Sequence, residues 1–140
     1  MSVYIDTNII VSLFVADSLS QKATHALQVQ QAIILVSDFT IAEFASAVAR
    51  RVRMRELKAT DAQNAFSKLD NWLTHSIKSV NIESLDIAVA GRFLRRLDLA
   101  LRTPDAIHLA IVQRLNASLL TLDERMLSSA RALGIKLANI

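Results

Sequence analysis

The chain has 140 residues, 52% of them hydrophobic and 21% charged, with a formal net charge of +3. That length and apolar content fit one compact domain with a substantial core and exclude a disordered tail. The absence of cysteine excludes a disulfide framework and any thiolate ligand or nucleophile, and two glycines with one proline are too few turn residues for a β-sandwich or barrel.

Val3-Tyr4-Ile5 is a short apolar run ending at Asp6 and reads as a buried strand. Helices are predicted from Thr7 to about Ala16 and from Ser20 to Gln30. Ile33–Val36 is a second apolar run, closed by Ser37 and Asp38, and reads as a strand. From Thr40 the period changes: Ile41, Phe44, Ala45, Val48 and Val52 recur at three- and four-residue steps, one face of a helix that runs into Arg50, Arg51, Arg53 and Arg55. A further helix is predicted from Thr60 to Ser76 with Ala62, Phe66, Leu69 and Leu73 on one side; Phe66, Leu69 and Trp72 read as core or dimer surface. Lys78–Ile82 reads as a strand and Ser84–Leu99 as a helix whose inner face is Leu85, Ala88, Val89 and Phe93. Thr103-Pro104-Asp105 is a sharp helix start, with Thr103 placed to cap and Pro104 preset for the first turn; the helix extends to about Leu115. Ser118–Leu122 is a strand, Asp123–Leu133 a helix with Gly134 as its C-terminal cap, and Lys136–Ala138 a last strand. Short strands alternating with helices predict a parallel sheet covered on both faces. Nothing marks a linker or repeat, so residues 1–140 are read as a single domain.

The chemistry is sought at the strand ends. Asp6 and Asp123 follow apolar strands directly, Glu43 follows one after a short turn, and Asp105 begins a helix. In open parallel sheets, residues beyond the carboxyl ends of the strands converge although they are far apart in sequence. Carboxylates meeting there repel one another unless a cation neutralises them, and oxygen ligands select hard ions such as Mg²⁺ or Mn²⁺. Three of the four acids also have a capping reading: Thr40 to Glu43 has capping-box spacing, Asp105 suits a first helical turn, and Asp6 could cap the first helix; Thr121 to Glu124, beside Asp123, has the same box spacing.

The motifs in order resemble those of PIN-domain ribonucleases. Val3-Tyr4-Ile5-Asp6-Thr7-Asn8 resembles their opening strand and Asp-Thr-Asn motif, and Leu101-Arg102-Thr103-Pro104-Asp105-Ala106-Ile107-His108-Leu109-Ala110 their third acidic motif. Leu120-Thr121-Leu122-Asp123 resembles the late strand with its Thr-x-Asp, and Glu43 lies in the middle helix where the family carries its second acid. The nearest subgroup is the VapC-like toxins of type II toxin–antitoxin systems. The resemblance implies a three-layer α/β/α fold with a mostly parallel sheet, a Mg²⁺- or Mn²⁺-dependent endoribonuclease, a homodimer and neutralisation by a cognate antitoxin. It implies Asp6 and Asp105 as the main metal ligands, Glu43 and Asp123 completing the cluster, and Thr7, Asn8 and Thr121 as supporting polar groups. Attack would come from a metal-activated water.

Arg102, adjacent to this cluster, is the better candidate for a phosphate contact, and the arginines around Arg50 read as a solvated helix end or a phosphate-binding stripe. His108 lies one turn beyond Asp105, but a histidine satisfied by backbone or solvent is the preferred reading. A sequence pI near 9.7 suits an RNA partner. No basic leader precedes the apolar run Ile9–Ala16 and no stretch is long enough to span a bilayer, so no membrane partner and a cytoplasmic location are expected. Two alternatives are carried. A small-molecule phosphohydrolase would use Asp6 as covalent nucleophile, but Asn8 stands where the second acid of an Asp-x-Asp motif is expected. A non-catalytic PIN-like module binding RNA or protein would be expected to have lost its acids.

Overall fold

A computed structural model describes all residues 1–140. The elements in chain order are β1 (Ser2–Ile5), α1 (Thr7–Phe14), α2 (Ser20–Gln28), β2 (Ile33–Ser37), α3 (Asp38–Arg53), α4 (Ala59–Leu73), β3 (Ile77–Val80), α5 (Ser84–Leu94), α6 (Thr103–Arg114), β4 (Ser118–Leu120) and α7 (Glu124–Ala132). The four strands form one all-parallel sheet in the order β3-β2-β1-β4.

Strand periodicity divides the core. Successive residues of β1 point to opposite faces: Val3 and Ile5 join a cluster with Val36, Phe44, Val48 and Leu69, while Tyr4 joins Leu35, Leu109, Leu119 and Met126. Helices α1 to α4 therefore cover one face and α5 to α7 the other. The result is the three-layer α/β/α sandwich expected, and the sheet is wholly parallel because helical crossovers link all its strands.

The strand order sets the location of the site. The chain steps from β1 outward to β2 and β3, then returns to place β4 on the other side of β1. The order reverses between β1 and β4, and a crevice opens beyond their carboxyl ends. Asp6 leaves β1 there, with its amide donating to the Leu120 carbonyl at 3.1 Å, and Thr121 and Asp123 leave β4 beside it.

Several local expectations need correction. The inner face of α5 is only half the predicted one: Val89 and Phe93 pack inward as expected, but Leu85 is 57% exposed and Ala88 is exposed, while Asp86 and Ala90 are buried instead. Asp86 is drawn inside by Arg114 of α6, and a hydropathy pattern assigns such a residue to solvent. The same helix stops at Leu94 rather than Leu99. Ala45 is exposed although the α3 pattern placed it inside. Helix α6 is preceded by Arg102 as N-cap, so Thr103 is already its first helical residue. Lys136–Ala138 contributes only an isolated parallel bridge between Leu137 and Leu119. Gly134 has φ 71 and ends α7 in the left-handed conformation that glycine adopts without strain, as expected. Phe66, Leu69 and Trp72 pack in or against the core, with Trp72 edge-on to Phe14.

Candidate active site

The site is built on Asp6, the N-cap residue of α1, whose carboxylate makes no cap hydrogen bond. Its side chain is buried, with the residue 5% exposed, and Oδ2 accepts from the Thr121 hydroxyl at 2.7 Å. Oδ1 has no protein partner, yet no polar atom of the chain is both fully buried and unsatisfied, so this oxygen opens onto the adjoining cavity. Burial pushes the Asp6 carboxyl up; His108 and the Thr121 hydroxyl pull it down, and Asp123 and Glu43 raise it further.

The cavity has a volume of about 340 Å³ and is lined by polar or charged residues apart from Ala47 and Pro104. Asp6, Glu43 and Asp105 line it together with Thr7, Asn8, Arg50, Arg102 and His108. A larger cavity of about 510 Å³, around Met1, Val29 and Leu137 at the opposite ends of the strands, gathers no aspartate or glutamate side chain.

Glu43 does not form a capping box. The N-cap of α3 is Ser37, whose hydroxyl accepts from the Thr40 amide at 3.0 Å, so Glu43 lies in the second turn of the helix, away from its amino-terminal end. Its Oε1 accepts from the Thr7 hydroxyl at 2.7 Å and is hydrogen-bonded to His108 Nε2. Although burial pulls the Glu43 carboxyl upward, His108, Thr7 and Arg102 hold it below the usual carboxylate range.

Asp105 keeps both of its readings. One oxygen, Oδ2, accepts from the Arg102 amide at 3.1 Å, closing the first turn of α6, and lies 3.6 Å from the Arg102 guanidinium. The residue nevertheless lines the cavity, where Pro104 and Arg102 form the rim. Asp123 stands apart. Its Oδ1 caps α7 by accepting from the amides of Arg125 at 2.8 Å and Met126 at 3.3 Å, and it does not line the cavity. Because Asp123 is itself the cap, the predicted box between Thr121 and Glu124 does not form. Thr121 instead links the two strand ends: its hydroxyl donates to Asp6 and accepts from the Asp123 amide at 3.1 Å.

The reading of His108 as a residue satisfied by backbone or solvent is corrected. The side chain is buried, 2% exposed, and bonded entirely to other side chains: Tyr4 through Nδ1 at 2.7 Å, Glu43 through Nε2, and Thr7 at 3.2 Å. A signal was present in the sequence. Ala106–Val112 is apolar all round except for His108, and every residue in that stretch is buried. A histidine inside such a helix must find a polar partner.

A PIN-domain family model matches residues 3–132. The chain belongs to the PIN-domain family. A search of curated proteins found no match. Among solved structures, this PIN domain is similar to Mycobacterium tuberculosis VapC20, with TM-score 0.74, 15% identity and 95% of each chain covered. It is also similar to a chain of VapBC2 from Rickettsia felis, with TM-score 0.70, 21% identity, and 98% of this chain and 97% of that one covered. A chain of a Klebsiella pneumoniae toxin–antitoxin complex matches with TM-score 0.62, 26% identity and 86% of each chain covered.

Chemically, the cavity offers carboxylate oxygens flanked by two arginines. No three acidic or histidine side chains are drawn together tightly enough to be a ready-made metal cage. The donor set still fits Mg²⁺ or Mn²⁺, because Mg²⁺ keeps most of its waters and needs only one or two carboxylates. Asp6 is the best-suited ligand, since a bound cation would relieve a buried carboxylate crowded by two others. No helix of this PIN domain is long and apolar enough to cross a membrane.

Proposed function

We propose that this PIN domain is a metal-dependent endoribonuclease and the toxin of a type II toxin–antitoxin pair. The observation that carries the reading is the convergence of Asp6, Glu43 and Asp105, from three separate elements, on one polar cavity at the reversal point of the sheet. Two relatives add support: VapC20 is described as a sarcin–ricin loop cleaving toxin, and the Klebsiella structure is a toxin–antitoxin complex.

In this reading Asp6 and Asp105 are the principal ligands of Mg²⁺ or Mn²⁺, Glu43 joins them, and Asp123 contributes from the outer edge or through water. The cation supplies charge at the scissile phosphodiester and lowers the pKa of a water. Thr121 orients the Asp6 carboxylate, and Thr7 with His108 orients that of Glu43. Asn8, exposed at the rim, offers an amide to water or ribose. Arg102 and Arg50 attract the phosphate backbone into a cavity whose acids would otherwise repel it. No side-chain nucleophile is required.

The proposal includes a cognate antitoxin, a homodimeric state and a cytoplasmic setting. The excess of carboxylates suits a partner that inserts a basic side chain into the cavity, and a complex leaving the cavity open would contradict that detail. To test the activity, purified protein is incubated with RNA in Mg²⁺, Mn²⁺ or EDTA. Cleavage is expected only with metal, and lost in Asp6→Asn and Asp105→Asn. Wild-type rates in either variant, or undiminished cleavage in EDTA, would overturn the proposal.

A further inference from the structure

Behind Glu43 lies a buried polar chain of which the cleavage reaction as described uses only the His108 end. Ser37, Thr40, Tyr4 and His108 are all buried, beside a largely apolar layer that includes Leu35, Leu109, Leu119 and Phe39. The Tyr4 hydroxyl lies 2.7 Å from Ser37 Oγ, 3.1 Å from Thr40 Oγ1 and 2.7 Å from His108 Nδ1. Ser37 and Thr40 hydroxyls are 2.9 Å apart, and His108 Nε2 is bonded to Glu43 Oε1. Burying this many polar atoms is tolerable only because each has a partner.

One assignment of hydrogens satisfies the whole chain. Thr40 donates to Ser37, Ser37 to Tyr4, and Tyr4 to Nδ1 of His108. With Nδ1 accepting, the ring proton sits on Nε2 and is donated to Glu43 Oε1. The Thr7 hydroxyl donates to the same oxygen. Two donors therefore converge on Oε1, while Oε2 has no protein partner and Glu43 lines the cavity.

We propose that His108, with its tautomer set by Tyr4, is a positioning residue that commits Oε1 of Glu43 to the protein and presents Oε2 to the catalytic cation. This rests on the reading of the cavity as a divalent-metal site. Without the Tyr4 hydroxyl, only the Glu43 carboxylate is left to hold the ring proton on Nε2. With the proton on Nδ1, a lone pair would face Glu43 and the carboxylate would lose its fixed orientation. Partners that orient metal-binding side chains typically change metal affinity by ~10–100-fold when removed.

The experiment measures Mn²⁺ affinity by the paramagnetic resonance signal of the free ion, alongside metal-free thermal unfolding, for the intact protein and its Tyr4→Phe, His108→Leu and His108→Gln variants. Wild type is expected to bind Mn²⁺. His108→Leu should bind ~10–100-fold more weakly, Tyr4→Phe should show a smaller loss, and His108→Gln, which keeps an N–H near the Nε2 position, should recover most of the affinity. Should His108→Leu fail to fold, Tyr4→Phe and His108→Gln still decide the matter. Wild-type affinity in both Tyr4→Phe and His108→Leu would overturn the positioning role while leaving the metal site standing, as would a His108→Gln variant that folds normally but recovers nothing. If wild type binds no Mn²⁺, the metal reading itself falls, and this inference with it.

Discussion

Helix α6 carries both Asp105 and His108, and its far end is tied to α5 by a buried ion pair whose removal has a predictable cost. The Arg114 guanidinium donates from Nε to Asp86 Oδ1 at 2.8 Å and from a terminal nitrogen to Oδ2 at 3.0 Å, and it also reaches the Asn81 carbonyl at 2.9 Å and Glu83 at 3.2 Å. Asp86 is 1% exposed and the Arg114 side chain 21% exposed. Arg114→Met keeps the stem's packing but strands the carboxylate. Removing one partner of a buried pair costs about 3–5 kcal/mol. Asp86 would retain the Glu83 amide at 2.8 Å as a donor, and Arg114 is partly solvated, so the lower end, ~3 kcal/mol, applies. Over 140 residues the unfolding entropy is ~0.3 kcal/mol per degree, so Tm should fall by about 10 °C. Thermal unfolding followed by circular dichroism reads this directly. Asp86→Leu combined with Arg114→Met should regain most of the loss, because an apolar pair carries no stranded charge. A fall in Tm of under ~3 °C for Arg114→Met, about 1 kcal/mol at the same slope, or a double variant no more stable than Arg114→Met, would refute the account.

Glu43 and Asp6 should respond to pH with opposite sign. The Glu43 carboxyl is held below its ordinary value near 4.5, so its contribution to stability is present above that value and disappears as pH falls through the folded pKa; in urea melts, the deficit of Glu43→Gln relative to wild type should close below pH 4.5. Asp6 is raised above its ordinary value near 3.8, so folding favours its protonated form and that stability is lost as pH rises; metal-free Asp6→Asn should gain on wild type as pH climbs from 4 towards 7. Asp123→Ala removes the α7 cap and should cost ~1 kcal/mol, while weakening Mn²⁺ binding far less than Asp6→Ala does; equal losses of metal affinity would place Asp123 among the direct ligands. Arg102→Ala and Arg50→Ala should each weaken binding to an uncleavable RNA and reduce the slope of log K against log salt by about 1, and unchanged slopes would remove both from the phosphate path.

Much of this architecture is legible along the chain. Apolar runs such as Val3–Ile5 and Ile33–Val36, alternating with helical periods, identify a parallel α/β fold because strand and helix spacings differ and each must bury its own stripe. Asp6 and Glu43, read at or just after apolar runs, line the candidate cavity because a parallel sheet gathers its carboxyl-terminal strand ends, whereas Asp123 does not line it. Tertiary structure decided what spacing cannot encode. Asp86 points inward because Arg114, 28 positions away, meets it there. Asp123 serves mainly as a cap while Glu43 is freed from capping, since Ser37 takes that place. His108 lies against Tyr4 and Glu43, partners 104 and 65 residues distant. Local pattern records which face of an element is apolar, whereas the pairing of buried polar groups depends on which elements the fold brings together.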